Sequence, residues 1–463
     1  MISQLSKNFM NSPSETIENK SKHIIFILFV TILFLPLIQT IFPTIIERPL
    51  DGVDPTSALP AINADSWFNE EYQKDYLPAF EQTIGFHNSL VRLRNQINYS
   101  LFGFADVGDV VVGKGNYIFL KPYINAYTGA DYVGKEYIQL QSQKIKTVQE
   151  ELKKKNIDLF IVFAPGKGSF YPEYIPENYK TNMQPDSTNY ACYKKMFTEY
   201  GINNLDLRAY FSSIKSTEKY PLYSNTGVHW TEYGSYLAAL EIAKYISKIK
   251  KIQLPKIELQ SLKVYSFTRN TDYDAASLMN LFATIPQPKV AIPQLHFVSG
   301  QSTKKPRFLC ISDSYFHGII HSHIPANVFT DYHDWHYYDR VYPESFVKEK
   351  KVDKKNLRKE IEKQDVICIL VTDASLSAFP FGFIDDAYEL YAKKDTAYYR
   401  LKEKEFCVYI LKTIENIKNN KDWEKNLVEN AKRKKTKPID EFYINAVWLY
   451  EQEQLNILKV KNE

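Results

Sequence analysis

The sequence has few cysteines, and they form no recognisable pattern. Cys192, Cys310, Cys368 and Cys407 make no CxxC pair and no Cys/His spacing of the kind that binds zinc. Cys310 and Cys368 lie in apolar, strand-like runs, where a thiol behaves as a small buried hydrophobic group. The sequence therefore predicts neither a disulfide framework nor a cysteine metal site.

The chain also lacks a strong charge of either sign. Its 463 residues carry a formal net charge of +4, which is too small to indicate a nucleic-acid partner. The densest basic run, residues 432–437, is typical of a solvated helix end. The Gly-Lys-Gly-Ser stretch at 166–169 lacks the GxxxxGK[ST] spacing of a phosphate-binding loop. We predict no nucleic-acid partner and no cofactor.

Only one long hydrophobic run is present. Residues 24–42 are almost continuously apolar and uncharged, and as a helix they are long enough to cross a bilayer. Lysines precede the run and Glu47, Arg48 and Asp51 follow it, which predicts a cytoplasmic tail at 1–23 and an anchor at 24–45. A cleaved signal peptide is the alternative, but the run is long for one and no small-x-small site follows. In both cases the remainder lies outside the cytoplasm.

The region after the anchor predicts a stalk and a helix, followed by an α/β domain. Residues 46–80 are rich in Pro, Asp and Ala and predict an extended stalk, and residues 78–102 have helical spacing. Apolar strands then alternate with helices, which predicts a mostly parallel sheet covered on both faces. Residues 110–120 predict two short strands around a Gly-Lys-Gly turn. Further strands are predicted at 157–163, 205–207, 307–311 and 365–371, and helices at about 136–155, 188–200, 231–249 and 385–395. The predicted regions are 46–105 for the stalk and leading helix, 106–420 for the domain and 421–463 for a helical tail.

Two residues are candidates for catalysis. Ser314 directly follows an apolar strand, where catalytic residues of open α/β sheets lie and a serine can act as a nucleophile. A helix N-cap is the alternative interpretation of this serine. His229 lies in a turn-rich stretch just before a helix that Thr231 can cap, and histidine is the usual general base near neutral pH. A structural or merely exposed histidine is the alternative.

Other polar residues give weaker signals. Lys167 follows a strand end, where it can orient a substrate or stabilise the fold, and an exposed turn lysine is the alternative. Several histidines cluster further on, and an HxH pair can bind a metal ion. No carboxylate or cysteine spacing completes a familiar ligand set, so we predict no metal. These histidines are His317, His321, His323, His333 and His336.

Taken together, several segments resemble the alginate O-acetyltransferase family of the AlgJ/AlgX type. The resemblance covers most of the chain, including the anchor and the helix from Ile84 to Arg92. The matching motifs in the domain are Val112–Phe119, Ala164–Glu173, His229-Trp230, Ser312-Asp-Ser-Tyr315 and Trp335-His-Tyr-Tyr338. The resemblance implies a permuted SGNH-hydrolase-like α/β fold, in which the histidine motif precedes the serine motif.

The resemblance also implies roles for residues. Ser314 falls on the nucleophile and His229 on the base, while the acid of the family's Asp-x-His-Trp motif falls on Gly227. Ser312 stands at the motif's Gly and Tyr315 at its Phe. We predict Lys167, Trp230, Asp313 and Tyr315 as substrate-binding residues. Because glycine has no side chain to orient an imidazole, a nearby group such as Asn225 or Asp206 would have to substitute for the acid.

Two functions follow from this resemblance. The first is an O-acetyltransferase of a surface or secreted polysaccharide, held in the inner membrane by one helix with its domain in the periplasm. A multi-pass membrane O-acyltransferase would supply the acetyl group, and an acetyl-serine would form. The second is a non-catalytic glycan-binding or scaffold component of the same complex, suggested by Gly227. An esterase, which uses water as acceptor, is a weaker third option.

Overall fold

The computed structural model describes residues 13–53, 59–181, 183, 187–265 and 272–462. The chain divides into two units, each considered by itself. One comprises the chain up to Val110 together with Ala275–Ile285, and the other comprises Val111–Asp274 and Pro286–Glu463. The predicted boundaries at 105/106 and 420/421 stay predictions.

The described residues form ten strands and eighteen α-helices. The strands are β1 (Val110–Val112), β2 (Ile118–Leu120), β3 (Asp158–Ala164), β4 (Asn204–Asp206), β5 (Lys256–Tyr265), β6 (Val290–Val298), β7 (Arg307–Ser312), β8 (Asp331–His336), β9 (Arg340–Tyr342) and β10 (Val366–Thr372). The helices are α1 (Pro13–Ile41), α2 (Ala64–Phe68), α3 (Glu71–Thr83), α4 (His87–Phe102), α5 (Lys121–Thr128), α6 (Lys135–Lys154), α7 (Lys167–Phe170), α8 (Asn189–Tyr200), α9 (Leu207–Ile214), α10 (Glu232–Lys250), α11 (Asp274–Ser277), α12 (Phe316–His321), α13 (Ile324–Val328), α14 (Leu357–Glu362), α15 (Phe383–Tyr391), α16 (Thr396–Asn419), α17 (Lys421–Lys434) and α18 (Pro438–Asn462).

The first unit is helical. Within α1, residues Ser21–Ile41 have a mean hydropathy of 2.7 and are almost entirely exposed, so this is the one helix of the described chain that is long and apolar enough to cross a membrane. The predicted extended stalk is wrong in part, because α2 and α3 lie within it. Asn63 starts α2 with a reciprocal capping box with Ser66, a local signal that outweighs the loop-like composition.

The predicted helix at 78–102 is two helices rather than one. Helix α3 ends at Thr83, and α4 begins at His87. Between them Phe86 adopts a left-handed backbone conformation with φ 62°, which cannot continue a right-handed helix. The apolar spacing alone does not show this break.

A six-stranded sheet organises the second unit. Its strand order is β4-β3-β10-β7-β8-β9, and the first five strands run parallel while β9 is antiparallel. The predicted α/β fold with a mostly parallel sheet between helices is confirmed. The carboxyl ends of β7, β8 and β10 therefore lie side by side.

The core lies on both faces of this sheet. In β3 the side chains of Leu159, Ile161 and Phe163 belong to one apolar cluster, whereas Phe160 and Val162 belong to the other. Strand β10 is buried along its whole length in the same way. Each fully buried side chain of this size contributes about 1.5–3 kcal/mol through the hydrophobic effect, so the central strands are the rigid base on which the loops stand.

The sequence does not predict the hairpin-like pair β5 and β6. These antiparallel strands pair from Lys256 opposite Val298 to Tyr265 opposite Val290, with an irregularity between Leu259 and Ser261. Most of β5 is exposed or half-buried. Because an exposed strand carries little periodic apolar signal, its pairing is decided by tertiary contacts rather than by local pattern.

Candidate active site

Ser314 lies in the turn between β7 and α12, at the carboxyl edge of the sheet. The neighbouring Asp313 holds this turn in place. One oxygen of its carboxylate accepts hydrogen bonds from the backbone and hydroxyl of Thr372 at 2.8 and 2.7 Å, and the other accepts from the Tyr315 backbone. The serine turn is thereby joined to the end of β10, and Ser314 remains half-buried beside open solvent.

His229 lies in the loop that ends where α10 begins. The hydroxyl of Thr231 caps this helix by accepting a hydrogen bond from the Gly234 backbone at 3.1 Å. Immediately before it, Nε2 of His229 lies 2.7 Å from Oγ of Ser314. The structure therefore brings the two predicted catalytic residues, 85 positions apart, into hydrogen-bond contact.

Asp274 is the residue that sequence reasoning missed. Its Oδ2 lies 2.5 Å from Nδ1 of His229, and its Oδ1 accepts a hydrogen bond from the Val228 backbone at 2.6 Å. Both oxygens of the carboxylate thus hold the histidine loop. The side chains of Asp274, His229 and Ser314 form one continuous relay, the arrangement in which a carboxylate fixes the tautomer of a histidine base.

The two predicted substitutes for the acid lie elsewhere. The amide of Asn225 donates hydrogen bonds to the carbonyls of Asn116 and Pro286. Asp206 caps α9 and accepts a hydrogen bond from Tyr190. The suggestion that either replaces the acid is wrong. The acid comes instead from a residue 45 positions beyond His229, and no motif spacing pointed to it.

Gly227 and Lys167 share a structural task. The ammonium of Lys167 is buried and donates hydrogen bonds of 2.6–2.8 Å to the carbonyls of Ile118, Asn225 and Gly227. Three donated bonds use all three hydrogens of an ammonium. Burial lowers the Lys167 pKa well below its usual value, and the charge of Asp274 opposes this shift. Lys167 therefore holds the histidine loop and has no hydrogen left for a substrate.

The other predicted substrate-binding residues are also inside the protein. The indole of Trp230 donates a hydrogen bond to the Tyr315 carbonyl at 3.1 Å, and the phenol of Tyr315 donates one to the Val228 carbonyl at 2.8 Å. Trp230, Tyr315 and Asp313 are at most 3% exposed. Trp230 and Tyr315 join the serine turn to the histidine loop, and Asp313 joins it to β10, so in this structure these three residues hold the catalytic pair in place.

Tyr337 lies near the serine. Partial burial raises the pKa of its phenol, and the nearby Ser314 and Ser375 oppose this rise. The ring is 45% exposed, and the backbone has a φ of 48°. Its backbone N–H donates to the Ser312 carbonyl at 2.7 Å, which fixes this unusual turn beside the nucleophile. The sequence showed Tyr337 only as part of the Trp335–Tyr338 motif.

One further group of side chains lies near this edge. Among the residues that the structure describes, His317, Asp334 and His336 form the one cluster whose ligand atoms all lie within 4.8 Å of one another, as a metal ion would require.

Comparison with known proteins identifies a domain in this chain. Residues 110–307 match the family model described as an SGNH hydrolase-like domain, acetyltransferase AlgX. This range includes His229 and Asp274 and ends before Ser314. The resemblance to the AlgJ/AlgX type and the SGNH-hydrolase-like fold class are confirmed.

Two curated relatives are similar over part of the chain. The probable alginate O-acetylase AlgJ of Azotobacter vinelandii is 26% identical over 153 residues, which is 33% of this chain and 37% of that protein. The protein of the same name from Pseudomonas fluorescens is 24% identical over 154 residues, 33% of this chain and 36% of its own length. The chain thus matches little more than a third of either relative.

Solved structures of similar description exist. The O-acetyltransferase domain of Pseudomonas putida AlgJ has a TM-score of 0.39 at 16% identity, covering 61% of this chain and 99% of that domain. Pseudomonas aeruginosa AlgX has a TM-score of 0.41 at 14% identity, covering 60% of this chain and 67% of its own. With scores this low, neither structure contributes to the functional argument.

Proposed function

We propose that this chain is a membrane-anchored polysaccharide O-acetyltransferase. The premise is that it carries an AlgX-type SGNH hydrolase-like domain. The observation that supports the proposal is the relay of Asp274, His229 and Ser314, with contacts of 2.5 and 2.7 Å. A serine with a hydrogen-bonded histidine, itself oriented by a carboxylate, is the arrangement that activates a hydroxyl for acyl transfer.

The proposed reaction has two halves. In the first, Oγ of Ser314 attacks the acetyl carbonyl of a donor while Nε2 of His229 takes the hydroxyl proton. The bond from the carbonyl carbon to the leaving group then breaks, His229 protonates that group, and an acetyl-serine remains. In the second half His229 takes the proton of a sugar hydroxyl, whose oxygen attacks the acetyl carbon. The bond from that carbon to Oγ of Ser314 then breaks, and His229 returns the proton to the serine. Asp274 stabilises the imidazolium in both halves.

The geometry around the serine supports this sequence. The half-exposed Tyr337 lies near Ser314, and we propose that its phenol donates a hydrogen bond to the oxygen of the reacting ester. Ser314 lies at the carboxyl end of the sheet, on the side where ligands bind in open α/β folds. The turn on which it stands is held by Asp313 and Thr372, so the nucleophile is preorganised before substrate arrives.

The acceptor and the location of the domain are also part of the proposal. The two relatives are named as alginate O-acetylases, and we take a polysaccharide as the acceptor in this chain too. Helix α1 would anchor the chain in the inner membrane. The lysines before it and the acidic residues after it favour a periplasmic domain. A multi-pass membrane O-acyltransferase would deliver the acetyl group.

The alternative, a non-catalytic glycan-binding or scaffold protein, was based on the glycine at position 227. The carboxylate of Asp274 in contact with His229 supports catalysis instead, because it supplies the group that a glycine cannot. An esterase would use the same three residues with water as acceptor. The two enzymatic options therefore differ only in whether a sugar hydroxyl or water attacks the acetyl-serine.

The test uses the full chain purified in detergent with p-nitrophenyl acetate as acetyl donor. We expect release of p-nitrophenol and an acetyl adduct on Ser314, seen by mass spectrometry of peptides. Loss of a serine nucleophile costs on the order of 10⁶ in rate, so Ser314→Ala should fall to background. Ser302→Ala, at an exposed serine earlier in the same region, is the matched control and should keep full activity.

Adding an unacetylated alginate oligosaccharide separates transfer from hydrolysis. A transferase yields acetylated oligosaccharide, whereas an esterase yields only acetate. If Ser314→Ala reacts as fast as the parent protein, the proposed function is refuted. If the parent forms no adduct and no product, the scaffold alternative is the correct one.

A further inference from the structure

A second cluster of polar side chains lies between β8 and α12. Asp334 and His336 are two residues apart on β8, so their side chains leave the same face of the strand, and His317 is in the first turn of α12. The rings of His317 and His336 stack with centroids 4.4 Å apart, and Nε2 of His317 lies 3.9 Å from Oδ2 of Asp334. The three side chains thus converge on one point.

Each of these three side chains has one polar atom without a hydrogen-bond partner among the described residues. They are Nε2 of His317, Oδ2 of Asp334 and Nδ1 of His336, and each is shielded from solvent. Asp334 is fully buried. Because buried polar atoms are almost always paired, three unpaired atoms in one place indicate a missing partner that all three can share. An acceptor oxygen and two imidazole nitrogens are together suited to a cation.

One oxygen of Asp334 is nevertheless fixed. The hydroxyl of Ser312 donates a hydrogen bond of 2.6 Å to Oδ1, which leaves Oδ2 directed toward the two histidines. Such a bond to the distal oxygen is typical of carboxylates that bind metal ions. Ser312 stands where the AlgJ/AlgX-type serine motif has glycine. A glycine could not make this bond, so the departure from the motif has a structural consequence at the cluster.

We propose that His317, Asp334 and His336 bind one divalent transition-metal ion, with Zn²⁺ as the best match. Two imidazoles and one carboxylate form a recurrent three-ligand set for zinc, with bonds of about 2.0–2.2 Å. At the tetrahedral angle two such bonds put their ligand atoms about 3.4 Å apart, so the 3.9 Å between His317 and Asp334 must close by about 0.5 Å. The widest separation, at most 4.8 Å, must close by up to about 1.4 Å when the ion binds.

The surroundings agree with this assignment. Burial lowers the pKa of His317 to about 3 and also lowers that of His336, so both imidazoles are neutral near pH 7, the form that binds a metal. Tyr342 and Phe346 pack against the ring of His317 and form an apolar wall. The His317 side chain is 25% exposed, which leaves a path for an ion from solvent.

The ion would fasten β8 to α12, the helix that begins two residues after Ser314. This role is separate from the proposed acetyl transfer, since none of the three ligands belongs to the relay. Metal binding is therefore measured without turnover, and its failure would leave the proposed function untouched.

The experiment uses the full chain in detergent after removal of metals with a chelator. Zn²⁺ is titrated in competition with a chromophoric chelator, and Co²⁺ is used as a second probe through its visible absorption spectrum. We expect one equivalent of Zn²⁺ to bind and the melting temperature to rise. His317→Ala and His336→Ala should each weaken binding by at least 100-fold. Ser312→Ala should weaken it about 10–100-fold, as expected for loss of a hydrogen bond to a ligand.

Controls separate this cluster from other histidines. His323→Ala changes an exposed histidine near the end of α12, and His229→Ala changes the relay; both should still bind one equivalent. Circular dichroism verifies that each variant is folded, and Asp334→Asn serves as a third ligand variant of nearly unchanged shape. The proposal is overturned if the parent binds no Zn²⁺, if His317→Ala and His336→Ala bind as tightly as the parent, or if only His229→Ala abolishes binding.

Discussion

Two clusters of histidine and carboxylate lie at the carboxyl edge of the same sheet, and they differ in how their atoms are paired. In the relay, each ring nitrogen of His229 has a partner, one in Asp274 and one in Ser314. In the cluster of His317, Asp334 and His336, each side chain has one polar atom without a hydrogen-bond partner among the described residues. The same residue types are therefore suited to different chemistry. Side chains that are hydrogen-bonded in series can move a proton, whereas side chains with unpaired polar atoms can bind a cation.

The two clusters also differ in how the fold builds them. The relay joins three separate segments, and buried hydrogen bonds from Lys167 and Tyr315 hold its histidine loop. The second cluster uses one strand and the first turn of one helix, and its support is local, namely the hydrogen bond from Ser312 to Asp334 and the rings packed on His317. The relay should thus be sensitive to changes at several distant positions, whereas the second cluster should respond mainly to its own side chains.

The largest difference should follow from Asp274→Asn. The amide keeps the size of the carboxylate but cannot stabilise an imidazolium, and the equivalent change in a serine protease lowers kcat by about 10⁴. We expect a loss of similar order with p-nitrophenyl acetate, while Zn²⁺ binding at the second cluster is unchanged. Asp206→Asn, at the carboxylate that caps α9, is the control and should retain the parent rate. Full activity of Asp274→Asn would show that the carboxylate is not part of the site.

Lys167→Met tests the support of the histidine loop. The change removes an ammonium that three buried carbonyls share, and leaving such groups unpaired should lower the free energy of unfolding by about 3 kcal/mol. Urea unfolding followed by circular dichroism measures the loss. Lys215→Met, at a more exposed lysine that bonds the Phe170 carbonyl and Glu173, should cost about 1 kcal/mol or less. Equal losses would contradict a special role for Lys167.

The smallest expected effect is a pH dependence of the free energy of unfolding of the metal-free protein, caused by His317 in the second cluster. The pKa of His317 is about 3 in the fold and 6.5 as its ordinary value, so the unfolded chain binds the proton more readily. The stability that neutral His317 contributes is fully present above pH 6.5 and is lost as the pH falls toward 3. By proton linkage, the free energy of unfolding should be about 2 kcal/mol lower at pH 5. The groups facing His317 are His336, His321, Asp334 and, at longer range, His229.

The measurement compares urea unfolding at pH 7 and pH 5. His317→Gln should remove most of this pH-dependent loss, whereas His323→Gln should not. If the parent and His317→Gln lose the same stability between the two pH values, His317 is not buried in its neutral form.

The central part of the fold follows from the sequence. Strands β3, β7 and β10 are short apolar runs bounded by turns, and each was predicted within one or two residues. The capped start of α10 was predicted from Thr231. These features are local, because burial on both faces of a sheet requires apolar side chains at every position. The exposed pair β5 and β6 and the helices within the predicted stalk lack such a signal, and they were missed.

In the candidate site, too, some features were predicted from the sequence and others were not. Ser314 and His229 were predicted because each lies at a recognisable strand end or helix start, and the motif resemblance named both. The burial of Lys167, Trp230, Asp313 and Tyr315 was not predicted, because a polar or aromatic residue near a catalytic motif looks the same in sequence whether it faces substrate or core. Their hydrogen bonds to carbonyls and backbone atoms decide the matter.

By itself, the sequence determined the α/β architecture, the apolar N-terminal helix and the positions of the serine and the histidine, since these depend on local periodicity and chain order. Only the tertiary structure decided which carboxylate meets His229 and which meets His317. Asp274 is 45 residues from its histidine, and Asp334 is 17 residues from His317, on a different element of the fold. Carboxylates are frequent on the surface of any protein, so their number carries no information. What distinguishes these two is the position to which the packing of the chain brings each of them.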